Sequence, residues 1–258
     1  MSVTQQIILT APPADCQRAT ACGVPVAHMA YRIGAGGHLY RAEIPISLRG
    51  GLMILDNHGF DGRGDPAQLC REVIRECMAR KFDGILCDFD GPPSVFLEKT
   101  VTQLGTLTLQ RGWTLYVTEG CASAWERSVV LIPTAISGGS LEGRLRGAVH
   151  QYGADRVALA AQRMAQEFLL PSGADCGQPL SRPELAERVR RFSPAVFFDN
   201  SLCAHYFTYM DRGAARFVLF DDSGSLLRKL SLARELEIRR VFFAFPEVED
   251  ILPRLLGG

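Results

Sequence analysis

The sequence lacks an excess of charge of either sign, a long apolar run and any closely spaced pair of cysteines. Its 258 residues include 28 lysines and arginines and 28 aspartates and glutamates, so the net charge at pH 7 is zero. Nucleic-acid-binding proteins normally carry a basic excess or a basic stripe, and we therefore expect no nucleic-acid partner. No apolar stretch reaches the ~18 residues that a membrane span needs, so we expect no membrane-spanning segment.

Eight cysteines and five histidines are scattered along the chain without the spacing of a metal site. Several cysteines lie inside apolar segments, where a free thiol behaves as a small hydrophobe. We therefore expect no disulfide framework, no metal site and no cofactor. The N-terminal segment lacks the basic start and long apolar stretch of a signal peptide, and with the free thiols this predicts a cytoplasmic protein. The cysteines stand at positions 16, 22, 70, 77, 87, 121, 176 and 203.

The sequence does contain a series of short apolar runs that alternate with amphipathic segments. Such alternation is typical of parallel β–α–β units, and the chain has the length of one α/β barrel. We predict an α/β fold with a single (β/α)8 TIM-barrel domain over residues 1–258; an open doubly wound sheet is the alternative. Strand-like segments at 196–198 and 216–220 predict an insertion before the last strand or, as the alternative, a decorated helix layer. The eight predicted strands are centred on Ile7, His28, Met53, Ile85, Leu115, Leu131, Ala158 and Phe242.

The most informative stretch runs from Lys81 to Pro93 and reads K-F-D-G-I-L-C-D-F-D-G-P-P. Successive side chains of a strand point to opposite faces, so Asp88 and Asp90 share a face with Cα atoms roughly 6.5 Å apart. The prolines then end the strand, because proline cannot donate to the ladder. Carboxylates at the C-terminal end of a barrel strand occupy the usual place of catalytic groups. A helix cap or an ion pair is the alternative interpretation.

Polar residues also follow several of the other predicted strands. The carboxyl ends of parallel barrel strands meet at one rim, so these side chains are candidates for ligand contacts. Two neighbouring carboxylates at such a rim can separate their pKa values, as acid–base catalysis requires. The candidates are Asp56, Asn57, His58, Asp88, Asp90, Glu119, Thr134, Ser137, Gln162, Arg163 and Glu247.

The central stretch resembles the strand-4 motif of family-18 glycoside hydrolases, D-G-x-D-x-D-x-E. Asp83, Gly84 and Asp88 match this motif, Leu86 stands at its second acid, and Asp90 stands at its glutamate. The C-terminal segment resembles the family's close, in which an aromatic residue and two aspartates precede a serine, a lysine-bearing helix and the eighth strand. The corresponding residues are Phe220, Asp221, Asp222, Ser225, Lys229 and Val241.

The resemblance implies a bacterial TIM barrel that acts on or binds glycans containing N-acetylglucosamine, of the chitin or peptidoglycan type. In the family, the substrate's own acetamido group attacks the anomeric carbon. The resemblance therefore implies that Asp88 orients that group and that Asp90 replaces the acidic glutamate. Asp90 is one methylene shorter and would hold its proton about 1.5 Å farther back, and a misplacement of about 1 Å can lower a rate on the order of a hundredfold.

Two further family positions differ. The Met-x-Tyr-Asp expected on strand 6 is replaced by I-P-T-A-I-S at 132–137. The tryptophan expected on strand 8 is replaced by Ala244 or Phe245, and Phe245 is the aromatic candidate for a sugar contact.

These departures leave three hypotheses open. The first is a glycosidase that uses Asp88 and Asp90. The second is a barrel that binds a glycan or a partner without cleaving it. The third is a different barrel chemistry based on the carboxylates of Asp56 and Glu119. The sequence predicts no oligomeric state.

Overall fold

A computed structural model describes residues 4–42, 49–92, 94–171 and 177–257 of the chain. Pro93 of the central motif and Cys176 lie outside these ranges. The strands are β1 (Gln6–Ala11), β2 (Val26–Ile33), β3 (Leu39–Arg41), β4 (Leu52–Asp56), β5 (Gly84–Asp88), β6 (Thr114–Thr118), β7 (Val129–Pro133), β8 (Val157–Ala160), β9 (Ala165–Leu170), β10 (Gln178–Pro179), β11 (Phe197–Asp199), β12 (Ala204–Asp211), β13 (Ala214–Phe220) and β14 (Arg240–Ala244). The helices are α1 (Cys16–Ala21), α2 (Pro66–Arg80), α3 (Val95–Leu109), α4 (Leu141–Tyr152), α5 (Arg182–Phe192), α6 (Ser223–Glu235), α7 (Phe245–Val248) and α8 (Leu252–Leu256).

Eight parallel strands form a closed barrel. They pair in the order β1–β14–β8–β7–β6–β5–β4–β2, and β2 pairs with β1 to close the ring. Each of the eight predicted strand centres lies in one of these strands, so the predicted TIM barrel is confirmed. The pairing of β1 with β2 excludes the open sheet. No helix within the described ranges is long and apolar enough to cross a membrane.

The insertion before the last strand is a second, antiparallel sheet in the order β10–β9–β13–β12–β11. It lies in the chain between β8 and β14, as predicted, but it is larger than the two segments that the sequence indicated. Helix α5 packs on one face of this sheet, where the ring of Phe192 stacks on Tyr209 with centroids 4.1 Å apart.

Strand alternation divides the apolar side chains of the barrel into two layers. One layer fills the barrel interior and includes Ile54 and Leu86. The other lies between the barrel and its helices and includes Ile85 and Cys87. Because Leu86 faces inward, Asp88 two residues later also faces inward, at the end of the barrel where the strands finish. We call this end the rim.

Gly84 allows β5 to fit between its neighbours. A Cβ at this position would lie 2.5 Å from Leu52 Cδ2 and 2.8 Å from the Thr114 carbonyl oxygen, so a larger residue would displace the strand. Asp83 is exposed beside it, at the end of β5 opposite the rim. The Asp-Gly pair of the motif therefore has a structural role at the start of β5.

Helix ends follow the capping residues of the sequence. Asp65 caps α2, because it accepts a hydrogen bond from the Ala67 N–H at 2.9 Å, and Pro66 is the first helical residue. Asp222 caps α6, because its side chain accepts a hydrogen bond from the Ser225 N–H at 2.8 Å.

A fully buried ion pair connects the end of the insertion to α6. Lys229 Nζ lies 2.7 Å from Asp221 Oδ2, and both side chains have no solvent exposure. Asp221 also accepts hydrogen bonds from Ser225 Oγ at 2.7 Å and from the Met164 N–H at 3.2 Å. Removal of one partner of such a pair leaves an uncompensated buried charge, which is far more costly than the loss of an exposed pair.

We expect Lys229→Met to lower the free energy of unfolding by about 3–5 kcal/mol, because Asp221 would stay buried without its cation. The double variant Asp221→Asn/Lys229→Met removes both charges and should recover most of this loss. Urea denaturation followed by circular dichroism measures each value.

The matched control is Arg146→Met, which breaks an exposed pair with Glu142 and should cost less than about 1 kcal/mol. Equal effects of Lys229→Met and Arg146→Met would contradict the stabilising role assigned to the buried pair.

Candidate functional site

The rim is polar on one side and apolar on the other. Strands β7, β8 and β14 end in inward side chains that carry no polar atom, whereas β2, β4 and β5 end in charged ones. The candidate site therefore lies over the charged half. The last inward residues of the barrel strands, in chain order, are Thr10, Arg32, Asp56, Asp88, Thr118, Pro133, Ala160 and Ala244.

Three predicted acids come together at the charged half; we call Asp56, Asp88 and Asp90 the rim acids. Asp56 and Asp88 are direct neighbours in the register of β4 and β5. Burial, followed by the charges of Asp90 and Asp56, raises the pKa of the half-buried Asp88 carboxyl. A carboxyl in this environment retains its proton to higher pH than an exposed one, which suits proton transfer or hydrogen-bond donation to a ligand.

Asn57 holds the backbone of Asp90 in place. Its Nδ2 donates a hydrogen bond to the Asp90 carbonyl oxygen at 3.0 Å, and the Asp90 N–H donates to Asn57 Oδ1 at 2.9 Å. On the other side, Thr118 Oγ1 donates to the Phe89 carbonyl oxygen at 3.0 Å. The segment that follows β5 is thus fixed by β6 and by the loop after β4. Asn57, predicted as a ligand contact, has a side chain already used to position Asp90.

Glu119 is bound to a helix instead of joining the rim acids. Its carboxylate forms an ion pair with Arg144 of α4, which balances its charge. Asp56 lies on β4, and β5 separates that strand from β6, which precedes Glu119. Asp56 itself accepts a hydrogen bond from the His58 N–H at 2.9 Å. The geometry therefore gives no support to a chemistry that pairs Asp56 with Glu119.

Gln162, Arg163 and Glu247 form a second polar group, between the rim and the insertion. They line a cavity of about 550 Å³, and none of the rim acids lines it. The Arg163 N–H donates to Glu247 Oε2 at 3.0 Å, and its guanidinium forms an ion pair with Asp250 at 2.8 Å. Burial raises the pKa of the Glu247 carboxyl. The arginine predicted as a ligand contact is thus already paired within the protein.

Phe245, the aromatic candidate for a sugar contact, has a buried side chain. Its side chain is 1% exposed and belongs to the layer between the barrel and the helices, where the guanidinium of Arg18 lies 5.6 Å from the ring centroid. Phe242 and Ala244 are the inward residues of β14. A one-residue difference in register moves every side chain of a strand to the other face, and sequence alone did not fix the register of this strand.

Arg32, which no sequence pattern indicated, lies at the rim beside the acids. It is the register partner of Asp56 on β4 and of Tyr40 on β3. An irregularity in β2 between His28 and Tyr31 adds one residue relative to β4. Without this bulge, Arg32 would face the same side as the buried His28, toward the helices. No local sequence signal marks the bulge, which explains the omission.

The fold resembles those of several carbohydrate-active enzymes. The spore cortex-lytic enzyme SleL of Bacillus megaterium aligns with a TM-score of 0.72 over 94% of this chain and 71% of its own, at 14% sequence identity. A chitinase from Chromobacterium violaceum aligns at 0.71 over 93% and 94%, with 16% identity. A family-18 chitinase from Cycas revoluta in complex with (GlcNAc)4 aligns at 0.65 over 97% and 98%, with 12% identity. The chain has the fold of family-18 glycoside hydrolases.

No model of a known protein family matches the sequence, and no curated protein matches it either. The family-18 fold is thus evident from the three-dimensional comparison, at identities of 12% to 16% in the three proteins named above. The resemblance inferred from the residues around Asp88 is confirmed at the level of a divergent family-18-like barrel.

The raised pKa of Asp88 has a consequence for stability. The folded protein binds this proton more tightly than the unfolded chain, so the contribution of Asp88 is present below the ordinary carboxyl pKa of ~3.9 and is lost as the pH rises through the folded value. We expect Asp88→Asn to be more stable than the wild type at pH 7 and to lose this advantage as the pH falls below about 4. Thermal unfolding across this pH range measures the difference.

The control is Asp83→Asn, which changes an exposed aspartate at the opposite end of β5 and should show no such pH-dependent gain. A constant difference across the pH range, or a loss of stability in Asp88→Asn at pH 7, would contradict the electrostatic environment described for Asp88.

Proposed function

We propose that the protein binds a glycan containing N-acetylglucosamine at the rim and hydrolyses it, with Asp88 orienting the acetamido group and Asp90 as the acid. The observation that carries this proposal is the inward, half-buried Asp88 beside Asp56 and Asp90 at the end of β5, in a barrel of the family-18 fold. Related support comes from a structural neighbour that is described in complex with (GlcNAc)4.

In this reaction, Asp90 donates its proton to the glycosidic oxygen while the acetamido oxygen of the substrate attacks the anomeric carbon. The bond to the leaving sugar breaks, and the leaving sugar keeps the proton. Asp88, when ionised, accepts a hydrogen bond from the acetamido nitrogen and offsets the positive charge that develops there. Water then opens the cyclic intermediate, and the Asp90 carboxylate takes up the proton.

The position of Asp90 is the critical variable in this scheme. Its backbone is fixed by both hydrogen bonds to Asn57, so the reach of its side chain decides where the proton is delivered. A glutamate would extend this reach by one methylene. We expect the short side chain to limit the rate rather than to prevent binding, because binding does not require proton delivery.

The second candidate function is glycan binding without cleavage. It is favoured by the apolar half of the rim, where Pro133, Ala160 and Ala244 offer neither a polar group nor an aromatic ring to a sugar held at Asp88. Transition-state stabilisation needs donors or charges placed around the reacting centre, and this half supplies none from the strand ends.

Variants of Asp90 separate the two functions. We expect Asp90→Asn to abolish release of products from chito-oligosaccharides, because the amide cannot donate a carboxyl proton. We expect Asp90→Glu to raise the rate on the order of a hundredfold, since it restores the missing reach. Chromatography of the products, together with calorimetric binding of (GlcNAc)4, measures both effects.

Unchanged activity in Asp90→Asn would rule out the role of Asp90 as the acid. Saturable binding with no product from the wild type or from Asp90→Glu would establish the binding function instead. Absence of binding in the wild type would contradict both functions.

A further inference from the structure

Four side chains lie in one row across neighbouring strands at the rim. Register pairs join Tyr40 of β3 to Arg32 of β2, Arg32 to Asp56 of β4, and Asp56 to Asp88 of β5. Neighbouring strands are about 4.8 Å apart, so the backbone of Arg32 lies roughly 10 Å from that of Asp88. The row therefore places a cation two strands away from the carboxylate that would hold the acetamido group.

The guanidinium of Arg32 is held by an aromatic ring and left open to solvent. Its Cζ lies 4.3 Å from the centroid of the Tyr40 ring, a stacking geometry that orients the planar fork. The side chain is exposed, and within the part of the chain that the structure describes no carboxylate lies at ion-pair distance from it. Its register neighbour Asp56 accepts the His58 N–H instead. The donors of Arg32 are thus available to a ligand.

Arg32 and Tyr40 line a groove together with one of the rim acids, Asp56. The groove has a volume of about 410 Å³ and is also lined by Met29. Among the last inward residues of the eight barrel strands, Arg32 is the one cation. An anionic group on a bound glycan would be repelled at the Asp56 side of the groove and attracted at the Tyr40 side.

We propose that Arg32 binds a carboxylate carried by the glycan, on the sugar next to the one held at Asp88, and that it makes the protein select acidic over neutral amino-sugar glycans. This inference rests on the proposed binding of a glycan at the rim. The planar guanidinium matches a carboxylate with two parallel hydrogen bonds, which gives direction as well as affinity.

The test compares three tetrasaccharides by calorimetry, in the Asp90→Asn background to prevent turnover. The first is (GlcNAc)4, the second carries an ether-linked lactate on alternate sugars, and the third is the second with each carboxylate converted to an amide. We expect the acidic sugar to bind about tenfold more tightly than its amide, as a partly exposed charged pair with good geometry allows. This preference should shrink as the salt concentration rises.

Substitution of Arg32 tests whether this residue causes the preference for the acidic sugar over its amide. We expect Arg32→Gln to abolish the difference between the acidic sugar and its amide while the affinity for (GlcNAc)4 stays unchanged. Arg32→Lys, which keeps the charge but loses the fork, should retain part of the difference. The matched control is Arg41→Gln on β3, because Arg41 is an exposed arginine paired with Glu76 at 3.5 Å, and it should leave the preference intact.

The binding results separate the role of Arg32 from the proposed function. Equal binding of the acidic sugar and its amide, with (GlcNAc)4 bound, overturns the role of Arg32 and leaves the proposed function standing. An equal loss of all three sugars in Arg32→Gln also overturns it, because the residue would then act on binding in general. Absence of binding by every sugar overturns both the proposed function and the role of Arg32.

Discussion

Closure of the sheet through three residue pairs between β1 and β2 is the constraint on which the rest of the structure depends. A closed ring of parallel strands gives every strand an inside and an outside, and it brings all the carboxyl ends to one rim. The alternation of side chains along each strand then decides whether a side chain faces the barrel interior or the outer helices. Asp88 lies two residues after the inward Leu86 and must face the rim, whereas Phe243, directly after the inward Phe242, must join the outer layer.

The charge distribution at the rim follows from the same ring. Acids from β4 and the end of β5 crowd one half, where burial, followed by the charges of Asp90 and Asp56, raises the pKa of the Asp88 carboxyl. Asn57 and Thr118 fix the backbone beside these acids. The other half carries small apolar side chains, so a ligand at the rim would form its hydrogen bonds and ion pairs with the charged half. The rim therefore differs from one that carries polar groups on all sides.

Local sequence patterns predicted the barrel and the place of Asp88, because apolar runs, capping residues and strand alternation act over a few residues. The features that the sequence did not predict depend on contacts between distant segments. The bulge that turns Arg32 inward is defined only by the pairing of β2 with β4. The register of β14, the strand that precedes the buried Phe245, is defined by its neighbours in the ring. The partner of Glu119 is Arg144, on a helix that the sequence does not associate with it. The chemistry proposed for Asp88 and Asp90 comes from the family resemblance, because spacing alone left it open.

A crystal structure of the protein soaked with a chito-oligosaccharide shows directly whether the rim binds a glycan. We expect a sugar over the rim acids, with its acetamido nitrogen within about 3 Å of an Asp88 carboxylate oxygen. A sugar bound elsewhere, with Asp88 contacting only protein or water at saturating ligand, would contradict the assignment of the rim as a glycan site.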